Sequence, residues 1–282
     1  MMVWFSNEEI AQWINEDAPL VDLTSHLLGI EAQYCELTVT TRHSTCLTLT
    51  EEATRLFEQL GADTVLCEPS GRQVDAGTEI LKVTGRGDAL HRGWKVAMNL
   101  LETGCGVATA TADMVAAVQQ VSDIPLLVTR KHAPGMKKQL IKAILSGGAY
   151  PHRLGLSETV LIFENHLNVI GGREALPKAI QKMKAAACEK KIMVECDDLE
   201  QAVQAAEAGA DAIQFDKVPV DDLVLWCQSL KTAFPALKVL MAGGIRRDNV
   251  EAYAASGVDG IVLSSLYHAK PADLGVRIQR RD

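Results

Sequence analysis

Six short apolar runs punctuate the second half of the chain, and each ends in polar residues or glycine. Leu126-Leu127-Val128 leads to Thr129-Arg130-Lys131, Val160-Leu161-Ile162 to Phe163-Glu164-Asn165, and Ile192-Met193-Val194 to Glu195. The next three end at Phe215-Asp216, Ala242-Gly243-Gly244 and Leu263-Ser264-Ser265. They begin near residues 125, 159, 191, 211, 237 and 259, with helical spacing between them. Continuous apolar character marks strands covered on both faces, and this alternation predicts parallel βα units in a barrel or a doubly wound sheet. In a barrel all six tips gather on one rim, where such folds carry their active sites. Gly209-Ala210-Asp211 and Gly257-Val258-Asp259 are near-matching helix-to-strand turns and read as repeated architecture.

The first hundred residues have a different rhythm, that of an α+β domain. Residues 7–16 form an amphipathic helix with Asn7 as cap, and 35–41 alternate like a half-buried strand. Residues 50–60 read as a helix with Thr50 as cap and Gly61 as stop. Two strands flank the turn Asp75-Ala76-Gly77, the second over 79–84. Residues 94–101 are helical, and Gly104-Cys105-Gly106 is expected to interrupt before a second helix over 107–121. No Pro/Gly-rich linker separates the two parts, so close packing is expected.

Composition narrows the function classes. A chain of 282 residues, 48% hydrophobic and 23% charged, is an ordinary globular protein with a substantial core. Its net charge of −8 argues against nucleic acid or an anionic membrane as main partner, since both need a basic face. Seven cysteines, odd in number and without a Cys-x-x-Cys pair, read as reduced thiols. Residues 1–10 contain Glu8 and Glu9 and no long apolar core, so no signal peptide is expected there. No run reaches the roughly 20 apolar residues of a membrane span. A cytoplasmic protein acting on small molecules is the expectation.

The chemistry concentrates at the strand tips. Thr129-Arg130-Lys131-His132-Ala133-Pro134-Gly135 sets cationic side chains between a buried strand and a helix that Pro134 can start. A solvated charge run is the plainer reading, but such runs rarely occupy that position. Tyr150-Pro151-His152-Arg153-Leu154-Gly155 offers a planar arginine fork and a histidine, with Gly147, Gly148 and Gly155 letting the backbone approach a ligand. An ordinary surface loop is its plainer reading. Glu195 and Asp216 end consecutive strands, suited to a divalent metal, to ribose hydroxyls or to a cationic transition state; the plainer role is at helix N-termini. Gly243-Gly244 and Ser264-Ser265 fit the phosphate site of the last barrel loops. His26, His43 and His91 read as structural or surface residues, Asn165-His166 points to no single role, and the four tryptophans read as packing.

Several stretches, in order, resemble the quinolinate phosphoribosyltransferase family (nicotinate-nucleotide pyrophosphorylase, carboxylating). They are Asn99 with Gly106-Val107-Ala108-Thr109, Thr129-Arg130-Lys131 with Pro134-Gly135, His152-Arg153-Leu154-Gly155-Leu156, Glu164-Asn165-His166, Val194-Glu195-Cys196-Asp197 and Glu207-Ala208-Gly209-Ala210-Asp211. The resemblance implies an N-terminal α/β sandwich (1–107) and an incomplete, TIM-like parallel α/β barrel of six or seven strands (108–269), with a tail (270–282) returning to the first domain. It implies a homodimer with shared active sites and transfer of phosphoribose from phosphoribosyl pyrophosphate, with Mg²⁺, to a pyridine nitrogen. Thr129, Arg130, Lys131, His152 and Arg153 would hold acceptor carboxylates and pyrophosphate. Glu195 and Asp216 would face ribose and Mg²⁺; Gly243, Gly244, Ser264, Ser265 and His268 would take the 5′-phosphate.

The departures narrow the acceptor. Lys95 stands where the family's arginine reaches the acceptor from the neighbouring subunit, and Phe163 stands where the family has a lysine. Ala242 and Ser264 replace a serine and a glycine. These changes point away from a diacid and suit the ModD-type pyrophosphorylases, relatives encoded with molybdate-transport genes. Three readings follow: a ModD-like phosphoribosyltransferase using another acceptor, a true quinolinate phosphoribosyltransferase, and a non-catalytic binder of a small oxyanion. Retention of Glu195 and Asp216 argues against the third, because carboxylates repel an oxyanion.

Overall fold

The computed structural model describes residues 3–281. Met1, Met2 and Asp282, which belong to the stretches 1–10 and 270–282 read above, lie outside the described residues. Helix α1 (Asn7–Asp17) is capped by Ser6, not Asn7. The Ser6 hydroxyl accepts from the Glu9 N–H and the Glu9 carboxylate accepts from the Ser6 N–H, so two otherwise orphaned donors are satisfied reciprocally. After α2 (Leu23–Leu28), β1 (Tyr34–Thr41) and β2 (Thr45–Cys46), α3 (Thr50–Gln59) begins at Thr50. Its cap is Leu49, held at φ +61°, while the Thr50 hydroxyl is buried without a partner. Strands β3 (Asp63–Cys67), β4 (Gln73–Val74) and β5 (Glu79–Arg86) follow.

The expected break at Gly104-Cys105-Gly106 does not occur: α4 (Gly87–Gln119) is one helix of 33 residues. The glycines answer to close packing. A Cβ on Gly104 would stand 2.6 Å from Leu49 Cδ1, and one on Gly106 2.2 Å from the Lys270 carbonyl oxygen. Neighbouring chain occupies the volume a side chain needs, and that outweighs glycine's intrinsic helix penalty of about 1 kcal/mol.

Beyond it the elements alternate: β6 (Leu126–Val128), α5 (Lys137–Ser146), β7 (Tyr150–Pro151), β8 (Val160–Ile162), α6 (Glu164–Ile170), α7 (Leu176–Ala186) and β9 (Ile192–Cys196). Then come α8 (Leu199–Glu207), β10 (Ala212–Asp216), α9 (Val220–Ala233), β11 (Lys238–Ala242), α10 (Val250–Ala254), β12 (Gly260–Leu263) and β13 (Leu274–Arg280). Pro134 does not start α5; it lies in a turn with Gly135 at φ +81°, and the helix opens at Lys137.

The chain folds as two compact units. One holds the residues up to Asp113, His132–Gly148 and the chain from Leu266 onward; the other holds Met114–Lys131 and Ala149–Ser265. The first is built on an antiparallel sheet of order β13-β1-β5-β3, with Leu37 opposite Ile278 and Val83. Leu37, Val39, Phe57, Leu81, Val83 and Leu101 share its buried core. Lys142 on α5 sits in that interior, bonded to Glu52 at 2.5 Å and Glu51 at 2.8 Å. Burial raises the Glu51 pKa, but bonds from Lys142 and Ser70 bring it down to about 2. Gly147, read above as an approach for ligand, packs on α4, where a Cβ would meet the Ala108 carbonyl at 2.5 Å. Trp4 is 70% exposed, with the Lys138 ammonium 5.6 Å from its ring, so it is not a packing residue.

The second unit is a seven-stranded parallel sheet of order β7-β6-β12-β11-β10-β9-β8, an open half-barrel covered by helices. The edge strands β7 and β8 are two and three residues long, which limits unpaired edge. Strand alternation puts Leu127, Met193, Leu240, Ala242 and Val262 together as an apolar cluster, while Phe215 turns away to meet Trp226, ring centroids 5.1 Å apart. Asp211 and Asp259, in the two matching turns, accept the backbone N–H of Ile192 (2.8 Å) and Val239 (2.9 Å) and so fasten adjacent strand starts. The chemistry lies at the other end.

Candidate functional site

Because all seven strands run the same way, their C-terminal tips meet, and there the second unit holds a cavity of about 500 Å³. That volume suits a small organic ligand. Thr129, Arg130 and Lys131 enter from β6, His152 and Arg153 from β7, Phe163 from β8, Glu195 from β9 and Asp216 from β10. Gly243 and Gly244 follow β11, and Ser264 and Ser265 follow β12. All of these line the one cavity. Two other candidates do not: Lys95 is an exposed residue of α4 with its ammonium 5.3 Å from the Trp94 ring, and His268 ends a short 3₁₀ turn, Ser265–His268.

The β6–β7 side is cationic. The Thr129 hydroxyl accepts from the Lys131 N–H at 3.2 Å, which turns the chain after the strand. The His152 N–H donates to the Val128 carbonyl at 2.8 Å, drawing His152-Arg153 to the rim. Burial, reinforced by Arg153, pushes the His152 pKa down to about 4, so its imidazole is neutral at pH 7. Burial and the neighbouring Arg130 also lower Arg153. With Lys217, four arginine and lysine side chains share the cavity lining with two carboxylates, a local excess of basic groups in an acidic protein.

The β9–β10 side holds those carboxylates. Burial raises the Glu195 pKa and Asp216 and Asp197 add to the rise, while Gln214, bonded to it at 2.8 Å, works against it. Asp216 pairs with the Lys217 ammonium at 3.0 Å. Lys217 is held at φ +57°, an uncommon conformation for a residue with a side chain, by its N–H bonded to the Ala242 carbonyl (2.8 Å). Gly243 makes room for both: a Cβ there would lie 2.2 Å from Asp216 Oδ1 and 2.7 Å from Lys217 Cγ. Gly244 has open space around it but needs φ +71°. Two carboxylates without a third acid fit a Mg²⁺ ion bound mainly through substrate oxygens.

At β8 the wall is apolar. Phe163 lines the cavity with Leu161, and its ring stacks on His166 at 5.8 Å. His166 Nδ1 accepts the Phe163 N–H (3.0 Å), and Glu164 pairs with Arg173, so this tripeptide orders the start of α6.

Gln214 and Lys217 line the cavity, and sequence reasoning did not select them. For Gln214 a signal existed: it interrupts an apolar strand two residues before Asp216, hence on the same face.

Family models match nearly the whole chain: "Quinolinate phosphoribosyl transferase, N-terminal domain" over residues 22–105 and "Quinolinate phosphoribosyl transferase, C-terminal domain" over 107–277. A protein of Pasteurella multocida that carries the name ModD is 33% identical over 281 residues, covering 99% of this chain and 100% of the relative. The protein of that name from Rhodobacter capsulatus is 38% identical over 237 residues, 84% of this chain and 91% of its own. Among solved structures, the nicotinate-nucleotide pyrophosphorylase of Francisella tularensis superposes with a TM-score of 0.89 at 26% identity, covering 98% of each chain.

Proposed function

The chain belongs to the quinolinate phosphoribosyltransferase family as a ModD-type member, and from that premise we propose that it transfers phosphoribose to a heterocyclic acceptor other than quinolinate. It is a phosphoribosyltransferase. The acceptor's ring nitrogen attacks C1 of the ribose, a nitrogen–carbon bond forms, and the carbon–oxygen bond to pyrophosphate breaks. Such a loose, cation-like transition state needs positioning and opposite charge rather than a nucleophilic side chain.

In this reading Arg130, Lys131 and Arg153 hold the leaving pyrophosphate and an acceptor carboxylate, and neutral His152 supplies a hydrogen bond without charge. Thr129 orders that turn. Glu195 and Asp216 face the positive charge that grows on the ribose and would hold Mg²⁺, which neutralises pyrophosphate when bound. Amides at Gly243 and Gly244 and hydroxyls at Ser264 and Ser265 suit the 5′-phosphate. Lys95 of the partner subunit would reach the acceptor in a homodimer, and His268 would sit near the phosphate end. Seven free cysteines suit the cytoplasm, where thiols stay reduced.

One observation carries the choice of acceptor: Phe163, an apolar ring, forms the cavity wall where a diacid would need a cation. A monocarboxylate or neutral heterocycle fits better. Pyrophosphate release from the donor, measured with quinolinate and with a panel of heterocyclic monoacids and bases, tests this. The expected result is turnover with a panel member and little with quinolinate, and Phe163→Lys should raise quinolinate turnover about tenfold or more. Full wild-type activity on quinolinate would overturn the reading.

A further inference from the structure

Apart from glycines, only Leu49 and Lys217 among the described residues hold a left-handed backbone. Leu49 is fully buried and caps α3, so packing and the helix start account for it. Lys217 differs: its side chain is 73% exposed and lines the cavity. Glycine would adopt φ +57° at less cost, so the fold accepts strain and keeps a side chain at this tip. The chain after β11 makes room for that side chain, because a Cβ on Gly243 would lie 2.7 Å from Lys217 Cγ. The 3.0 Å ion pair with Asp216 is a weak reason for this arrangement, since exposed pairs add little to stability. That pair uses one of the ammonium's three N–H donors and leaves two. The hydrogen bond to Asp216 raises the Lys217 pKa above the ordinary lysine value, so the group is charged at pH 7.

We infer that Lys217 binds the 5′-phosphate of the phosphoribosyl donor, its remaining N–H groups donating to phosphate oxygens at the Gly243-Gly244 end of the cavity. This rests on the reading that the cavity takes such a donor. Strands β12, β11 and β10 are adjacent in the sheet, so Ser264-Ser265, Gly243-Gly244 and Lys217 line the cavity from three neighbouring tips. The amides and hydroxyls there donate hydrogen bonds without charge, and Lys217 is the one lysine or arginine that lines the cavity from those tips. Arg130, Lys131 and Arg153 enter from β6 and β7, where the pyrophosphate and the acceptor are placed. An ammonium with three donors bonds carboxylate and phosphate at once, so phosphate binding does not require Lys217 to leave Asp216.

Calorimetry without Mg²⁺ tests this, with ribose 5-phosphate as the probe of one end of the donor and pyrophosphate as the probe of the other. Both are titrated into wild type and into Lys217→Met, which keeps the stem over Gly243 and removes the charge. Lys217→Met should bind ribose 5-phosphate about tenfold more weakly or worse, the loss of a charge-assisted bond. That factor should exceed the factor for pyrophosphate by about threefold or more. A smaller ratio, or no binding of ribose 5-phosphate by wild type at millimolar concentration, overturns the inference. A lysine that only positioned Asp216 would lose its effect once that carboxylate is replaced by an amide. The same comparison is therefore made in Asp216→Asn, where the loss should persist to within about threefold. Its disappearance there would assign Lys217 to Asp216 and overturn phosphate binding. If Lys217→Met does not fold, Lys217→Gln is titrated in its place against the same ratios. A wild type that binds ribose 5-phosphate through Lys217 but not phosphoribosyl pyrophosphate with Mg²⁺ would end the transfer reading and leave the phosphate site standing.

Discussion

Replacing Gly243 by alanine isolates the position of one carboxylate. The new methyl would stand 2.2 Å from Asp216 Oδ1, more than 1 Å inside ordinary contact, and 2.7 Å from Lys217 Cγ. Asp216 is short, so its oxygen clears the methyl only by rotating the whole carboxylate, which also breaks the 3.0 Å bond to Lys217. A displacement near 1 Å at a reacting centre lowers rate by about 100-fold. Gly244→Ala is the matched control: its φ of +71° brings the same left-handed penalty of about 1–2 kcal/mol, but nothing lies within 4 Å of the added methyl. Steady-state kinetics of both variants, with thermal melts to check the common backbone cost, separate position from strain. Gly243→Ala should lose about 100-fold in kcat with a melting temperature close to that of Gly244→Ala, whose kcat should fall by less than about tenfold. Equal kcat in the two variants would refute the idea that Gly243 exists to seat Asp216.

Two further outcomes follow from the same physics. His152 is held to a pKa of about 4 against an ordinary 6.5. Between those values the unfolded chain binds a proton that the folded chain refuses, so stability falls as pH drops from 6.5 toward 4, by up to about 3 kcal/mol. Urea midpoints measured across that window should slope down in wild type and flatten in His152→Asn. Lys142→Met leaves Glu52, 4% exposed, buried without its counter-charge; the cost should be about 3–5 kcal/mol, seen as a melting temperature lower by roughly 10 °C.

Much of the half-barrel was legible because a parallel strand covered on both faces must be a continuous apolar run. Leu126–Val128, Val160–Ile162, Ile192–Cys196, Ala212–Asp216, Lys238–Ala242 and Gly260–Leu263 announce themselves that way, and the chemistry at their tips falls into one cavity as a geometric consequence. The seventh strand, Tyr150–Pro151, is two residues long and contains proline, too short for any periodicity. Local reading also misjudged Gly104 and Gly106, because what demands glycine there is chain distant in sequence: Leu49 for one, Lys270 for the other. Ser6 capped α1 in place of Asn7 because Glu9 completes the reciprocal pair only with Ser6. Gln214 shows the limit of pattern alone: its position on the inward face is legible, but its unpaired oxygen exists only in three dimensions.

The central claim, that this cavity receives a phosphoribosyl donor, meets its most direct test in calorimetry. Phosphoribosyl pyrophosphate with Mg²⁺ is titrated into wild type and into Lys131→Ala, without any acceptor. Saturable binding at one site per chain, weakened at least tenfold in Lys131→Ala, is the expected result. No binding by wild type up to millimolar donor would contradict the account.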